Sequence, residues 1–243
     1  MPDTRKHRGP HPADADLFRQ EMQPIVRQAV SHLAWLLTRG YPDGAALKLV
    51  GDRFGLSQRQ RIAVQRSSCS DQARDRRSRH CVPDDKLAGQ SLWIDGFNLI
   101  TTIEAALSGG VILHGRDGCC RDMASMHGNY RKVEETGPAL EKIGETIADC
   151  RVTHCHWYLD RPVSNSGRLC TLIRETAVRH GWNWSVELVP DPDRLLCKSH
   201  EIVVTADSAI LDTCLHWCNL ACLVIRKQIP AATILQLDDL PVD

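Results

Sequence analysis

The sequence predicts an α/β protein: a parallel sheet flanked by helices, preceded by a small all-helical module. Three observations carry that prediction. From Ser91 onward, short apolar runs rich in Val, Ile and Trp alternate with helical stretches, as in a parallel sheet covered on both faces. Before that point the apolar residues recur only at helical spacing. Charge is also divided: residues 1–86 carry 16 basic and 10 acidic side chains, residues 87–243 carry 14 and 20, and the whole chain is neutral. With about 150 residues per domain, a chain of 243 suits a polar, disordered tail over 1–13, a helical module over 14–86 and an α/β domain over 87–243.

In the front part, Val26, Ala29, Val30, Leu33, Leu36 and Leu37 mark a helix that starts near Pro24 and stops before Gly40. The stretch AALKLVGDRFGLSQRQRIAVQR reads as helix, turn and helix. Ser57 and Gln60 form a capping box for a second helix from about Gln58 to Arg66. Residues 67–90 are polar and charged, a boundary or exposed arm. In the rear part SLWID, HCHWYLD, WSVELV, EIVVT and ACLVI read as strands. LITTIEAAL, GPALEKIGETIADC, SGRLCTLIRETAVRH (stopped by Gly181) and SAILDTCLHWC read as helices.

In an open parallel sheet, reactive groups gather beyond the carboxyl ends of the strands. Three strands end in aspartate there: Asp95 closes SLWID, Asp160 closes HCHWYL, and Asp207 follows EIVVT. Asp117 and Asp122 lie nearby in GRDGCCRDM. Each has an ordinary explanation. Asp207 suits a helix N-cap, and Asp95-Gly96 and Asp160-Arg161-Pro162 suit turns. Their convergence needs more, because neighbouring carboxylates raise one another's pKa unless a cation sits among them. A hard divalent ion with oxygen ligands removes that repulsion.

WIDGFNLI, LDRPVSNSG and VVTADSAILD, in that order, resemble the acidic motifs of the PIN-like (Rossmann-like) nuclease superfamily. The chain is similar to a prokaryotic group known as domain of unknown function 434, with a helical front and a PIN-like rear. HLAWLLTRGYPDGAALKLVGDRFGLSQRQRIAVQR resembles that front, and the resemblance spans about residues 25–240. It implies that Asp95 is the metal-holding aspartate of the first strand, with Asn98 as the polar position beside it. Asp160 then matches a central acid and Asp207 the acid after the fourth strand. A further acid is placed on Asp122, with Asp117 and Glu135 as rivals; no helix-borne glutamate presents itself for that role. The implied activity is Mg²⁺- or Mn²⁺-dependent hydrolysis of phosphodiester bonds, with RNA favoured over DNA. A PIN-like module that binds nucleic acid or protein without cutting is the alternative. Pairing of two copies also follows from the resemblance.

Substrate affinity is expected from the front part. Residues 53–79 hold eight arginines, among them Arg53, Arg59, Arg61 and Arg66, against Asp71 and Asp75 alone. Such a patch favours nucleic acid in a salt-dependent way. The other reading is an arginine surface packed on the acidic rear. At about 100° per residue, Arg59 and Arg66 share a face and Arg61 points to the opposite side, which argues against a pure DNA-recognition helix. Trp182 and Trp184 are candidates for a base-stacking platform or for half-buried strand-end packing. His154 and His156 share one side of a strand, but two ligands make no metal site.

The sequence excludes several classes. It has no run of 18 apolar residues and no secretory h-region at its start, so a cytoplasmic protein without membrane spans is expected. Its eleven cysteines lie mostly in apolar runs without a CxxC, which predicts reduced thiols, with Cys214, Cys218 and Cys222 on a buried helix. There is no Walker A sequence, no G-x-G-x-x-G after a strand and no DxD after the first strand. Nothing sets a nucleophile beside a base for covalent catalysis.

Overall fold

A computed structural model describes residues 7–124, 130 and 132–237. The rear domain is built on five parallel strands: β1 (Ser91–Asp95), β4 (His154–Asp160), β5 (Trp184–Val189), β6 (Ile202–Val204) and β7 (His216–Cys218). Their order is β5-β4-β1-β6-β7. The chain winds outward from β1 through β4 to β5, then returns to the other side of β1 for β6 and β7. It therefore reverses direction between β1 and β6, and a crevice opens at the carboxyl ends of those two strands.

Helices α6 (Gly96–Leu107), α7 (Thr136–Asp149), α8 (Ser166–His180) and α11 (Leu220–Gln228) bury one face of the sheet, with Ile94, Ile100, Ile143, Trp157, Ile173 and Val224 among the core residues. Gly96 lets α6 begin directly after β1: a Cβ there would sit 2.6 Å from Leu159 Cδ2 and 3.0 Å from the Tyr158 carbonyl. Gly181 ends α8 at φ 68°, in the left-handed region that glycine adopts without a Cβ clash.

The front and rear parts share a core. Helices α2 (Gln23–Thr38), α3 (Asp43–Arg53) and α4 (Gln58–Ser67) follow the periodicity, and Ser57 and Gln60 make the expected capping box. Their apolar faces, with Val30, Leu33, Val50 and Val64, pack on Val111, Leu113 and Leu235. Those residues line or adjoin a second, three-stranded sheet of β2 (Ile112–His114), β3 (Cys120–Asp122) and β8 (Ile234–Gln236), in the order β3-β2-β8.

Several expectations are corrected. ACLVI is not a strand; it forms most of α11, a helix buried against α6 and α7. A short apolar run cannot be assigned by periodicity alone once the helix is buried. SAILDTCLHWC is not one helix: α10 (Ser208–Leu211) stops early and His216–Cys218 pairs with β6. Cys214, Cys218 and Cys222 consequently lie on a turn, a strand and a separate helix. Not all thiols are reduced, since Cys120 and Cys222, 102 residues apart in the chain, form a disulfide; the other nine cysteines are free.

The stretch 67–90 is not an exposed arm. It contains α5 (Asp71–His80), capped by Ser70. Arg77 of that helix is 2% exposed, and Val82 N–H donates to the Trp217 carbonyl at 2.7 Å. Residues 7–9 of the expected tail lie against the rear domain, where Arg8 Nε donates to the buried Glu104 at 2.6 Å and His7 meets Glu135; α1 (Asp14–Leu17) follows. Residues 1–6 of that tail lie outside the described residues. No described helix is long and apolar enough to cross a membrane.

Candidate functional site

Parallel pairing aligns the carboxyl ends of the strands on one edge, and register sets the depth of each acid. Asp95 is level with Tyr158, so Asp160 lies two residues further out on β4. Thr205 follows Val204, which is level with Ile94, and therefore comes beside Asp95. Its hydroxyl donates to Asp95 Oδ2 at 2.8 Å. Asn98, in the first turn of α6, accepts the Ala206 N–H on Oδ1 at 2.9 Å. These two bonds fasten the β1–α6 turn to the loop after β6, across the point where the chain reverses.

A cavity of about 570 Å³ opens there, lined by Asn98, Asp122, Asp193 and Asp207 together with Gln65 and Arg66 of α4. Asp95 is 8% exposed and is not among the lining residues. Asp160 does not line the cavity either; its charge acts on Asp193. Burial first, and then the charges of Asp193 and Asp207, push the Asp95 carboxyl up to about 7. Burial, followed by the charge of Asp191, also raises Asp160. Asp193 is raised by burial and by Asp207, Asp160 and Asp191. Among the described residues, no ion pair joins Asp95, Asp160, Asp193 or Asp207 to a cation.

The individual acids differ in what holds them. Asp207 caps the short helix α10 (Ser208–Leu211), with Oδ1 accepting from Ala209 and Ile210. Oδ2 makes no hydrogen bond among the described residues, so the cap and a second role are compatible. Asp122 is held on both oxygens. Ala124 N–H donates to Oδ1 at 2.6 Å, and the Thr101 and Thr102 hydroxyls lie 3.3 and 3.1 Å from Oδ2.

Asp117 and Glu135, the rivals for the further acid, are elsewhere. Asp117 is paired to Arg77 and Arg121, and Glu135 meets His7 at 2.7 Å. Sequence reasoning missed Asp193. It stands in α9 (Pro192–Leu196) directly after β5, and the signal was present: an acidic PDPD stretch follows a strand at the same edge.

The four arginines singled out mostly have partners within the protein already. Arg59 pairs with the buried Asp14, and Arg61 donates to Asp52 and the Leu56 carbonyl. Arg53 lies over the Phe54 ring at 5.8 Å. Only Arg66 of the four lines the cavity. Its terminal nitrogens donate to the Asp122 and Ala124 carbonyls at 2.6 and 2.8 Å. A guanidinium has five N–H donors, so three remain on a side chain already fixed in place.

The tryptophan pair is not a platform at this site. Trp184 pairs with Cys155 at the amino end of the sheet and packs on Trp157 at 5.0 Å, while Trp182 packs over Gly144 of α7. His154 and His156 engage Ser185 and Glu187.

The carboxylates lining the cavity are those of Asp122, Asp193 and Asp207, with the guanidinium groups of Arg66 and Arg121 in the same wall; carboxylate oxygens suit a hard divalent ion. Among the described residues, no three His, Cys, Asp or Glu side chains stand together so as to hold one ion. The acids are available in smaller sets, as suits Mg²⁺, which keeps several waters and takes one or two carboxylates.

Two family comparisons match the chain. The family described as "Domain of unknown function (DUF5616)" matches residues 84–222, and "Protein of unknown function (DUF434)" matches residues 25–80. The similarity to the second group thus rests on the helical front, with the rear matched separately. A protein of Methanocaldococcus jannaschii described as "Uncharacterized protein MJ0935" is 30% identical over 186 residues, covering 76% of this chain and 88% of the relative. No solved structure matches.

Proposed function

The chain belongs to the DUF5616 family, whose description carries no activity, and from its site we propose that it hydrolyses phosphodiester bonds in nucleic acid, RNA in preference to DNA, with Mg²⁺ or Mn²⁺ in a PIN-like domain. One observation carries the reading. Four aspartates, at the ends of β1 and β4, in α9 and at the cap of α10, gather at the carboxyl edge of the sheet, two of them (Asp193 and Asp207) lining a 570 Å³ cavity, with no cation paired to any of the four among the described residues. Asp95, Asp193 and Asp207 are the acids of which one or two would hold the ion, with water completing its shell and Asp160 on the outer side. A divalent ion bound there supplies Lewis-acid activation of water and offsets charge on the leaving oxygen.

The chain's own groups have separable tasks. The Thr205 hydroxyl and the Asn98 backbone N–H fix the Asp95 carboxylate. The Asn98 side chain spends Oδ1 on Ala206 and keeps its NH₂ to donate to a phosphate oxygen without adding negative charge. Arg66, anchored through two nitrogens, offers its remaining donors to a second phosphate. Asp122 is held by Thr101, Thr102 and Ala124; it shapes the wall and anchors Arg66 through its carbonyl.

The absence of three acids in one coordination sphere among the described residues favours a second reading, a PIN-like module that binds nucleic acid without cutting it. One pair of measurements separates the two. Thermal melting should show the wild type stabilised by Mn²⁺ and Asp95→Asn losing most of that gain. Short single-stranded RNA or DNA incubated with Mn²⁺ should be cleaved by the wild type and left intact by Asp207→Asn. Equal melting responses count against the metal site. Binding without cleavage selects the second reading.

A further inference from the structure

We propose that Arg77, Asp117 and Arg121 form a buried tether that positions Asp207 in the cavity, so that α5 of the helical front sets the geometry of a site on the rear domain. Arg121, on β3, donates through Nε to the Ala206 carbonyl at 2.8 Å. Its two terminal nitrogens donate to the two oxygens of Asp117 at 2.8 and 2.6 Å. Asp117 also accepts from Arg77 Nη1 at 2.6 Å. Arg77 in turn donates to Asp212 at 2.7 Å and to the Ser208 carbonyl at 3.3 Å. The carbonyls immediately before and after Asp207 are therefore gripped by two arginines, and one aspartate joins them.

The tether is largely buried: the side chains of Arg77, Asp117 and Arg121 are 3%, 2% and 10% exposed, with Arg121 reaching the cavity wall. Burying three charges is a poor way to gain stability, since desolvation offsets most of the attraction. It is an effective way to fix geometry, because each planar guanidinium satisfies several acceptors at set angles. The target is well chosen. Asp207 spends Oδ1 on α10, and its remaining oxygen can serve the site only if the backbone on both sides stays in place. Positioning groups behind a metal ligand typically change affinity by about 10- to 100-fold when lost.

The inference rests on the metal-site reading, and its test separates the two. Arg77→Lys keeps the charge but cannot reach Asp117, Asp212 and the Ser208 carbonyl together. It should fold, speed amide hydrogen exchange across residues 207–214 in metal-free protein by on the order of 10-fold, and weaken Mn²⁺ binding, measured by calorimetry, by about 10-fold. Arg174→Lys, which disturbs a donor to the Val186 carbonyl, should change neither. Unaltered exchange in Arg77→Lys overturns the tether. Faster exchange with unaltered Mn²⁺ affinity overturns its positioning role. If the wild type binds no Mn²⁺, the metal reading falls and the exchange rates alone decide the tether. Should Arg77→Lys fail to fold, Asp212→Asn loosens Arg77 from a 43% exposed partner and should move both readouts the same way by less.

Discussion

Asp95 and Asp117 are the same residue in two buried settings, and their settings give them opposite character. Asp117 is enclosed by Arg77 and Arg121. Burial alone would raise its carboxyl, but the two guanidinium groups outweigh burial and hold it well below the usual range. Asp95 has burial without a cation, and two further carboxylates act on it, so it is pushed up to about 7. A buried acid with its own arginines is part of the scaffold. One kept without them, among other acids, is a charge still to be matched, and strongly perturbed groups of that kind concentrate at functional sites.

Removing the scaffold acid should have the largest effect. Asp117→Ala leaves Arg77 and Arg121 buried beside each other and should cost about 3–5 kcal/mol, a large share of an ordinary domain's stability. Denaturant unfolding measures it. Because Asp117 titrates below the usual range in the folded state, its contribution is present above the unfolded pKa near 4 and is lost only as pH falls through the lower folded value. The penalty should accordingly be the same at pH 6 and pH 8. A loss under about 1 kcal/mol would place Asp117 among weak surface pairs and end the contrast.

Removing the site acid should have the opposite sign. The Asp95 pKa is higher folded than unfolded, so between about pH 4 and pH 7 the folded state binds more protons and stability falls as pH rises. Above pH 7 the full penalty applies, at most about 4 kcal/mol for a shift from 3.8 to about 7. Asp95→Asn removes that penalty but sets an amide where two hydrogen bonds were accepted, which costs about 1–2 kcal/mol. A net gain of about 2 kcal/mol at pH 8, absent at pH 4, is expected in denaturant melts at the two pH values. Equal effects at both would mean that Asp95 carries no perturbed charge.

How far the sequence revealed these two settings follows from what each depends on. Asp95 was legible because its place is local: it closes an apolar strand and opens a helix, and the parallel sheet fixes which edge that is. Asn98 and Asp207 were legible for the same reason, as were β1, β4, β5 and most of the helices. Asp117 was not, since its partners lie 40 residues before it in α5 and four after it in β3. No spacing announces a contact between those elements. Arg59 and Arg61 were misread as a surface patch because their acceptors, Asp14 and Asp52, are brought to them by packing. ACLVI and HWC exchanged identities because short buried runs carry little periodicity. Cys120 and Cys222 met through a fold that no cysteine spacing encodes.

Asp193 tests the comparison most finely, since it bears on Asp95 without touching the scaffold. Its side chain makes no hydrogen bond or ion pair among the described residues, and its charge is one of two that raise Asp95. Asp193→Asn keeps the shape and removes the charge. Screening by solvent limits the gain to a few tenths of a kcal/mol, but the direction is diagnostic. The Asp95 titration, followed by carboxyl-carbon NMR, should move down toward the ordinary aspartate range and stop well above it, because burial is the first cause of its displacement and burial is unchanged. A return to the ordinary value would make neighbouring charge the dominant cause. No movement would separate Asp193 from the site and leave Asp207 as the acid that acts on Asp95.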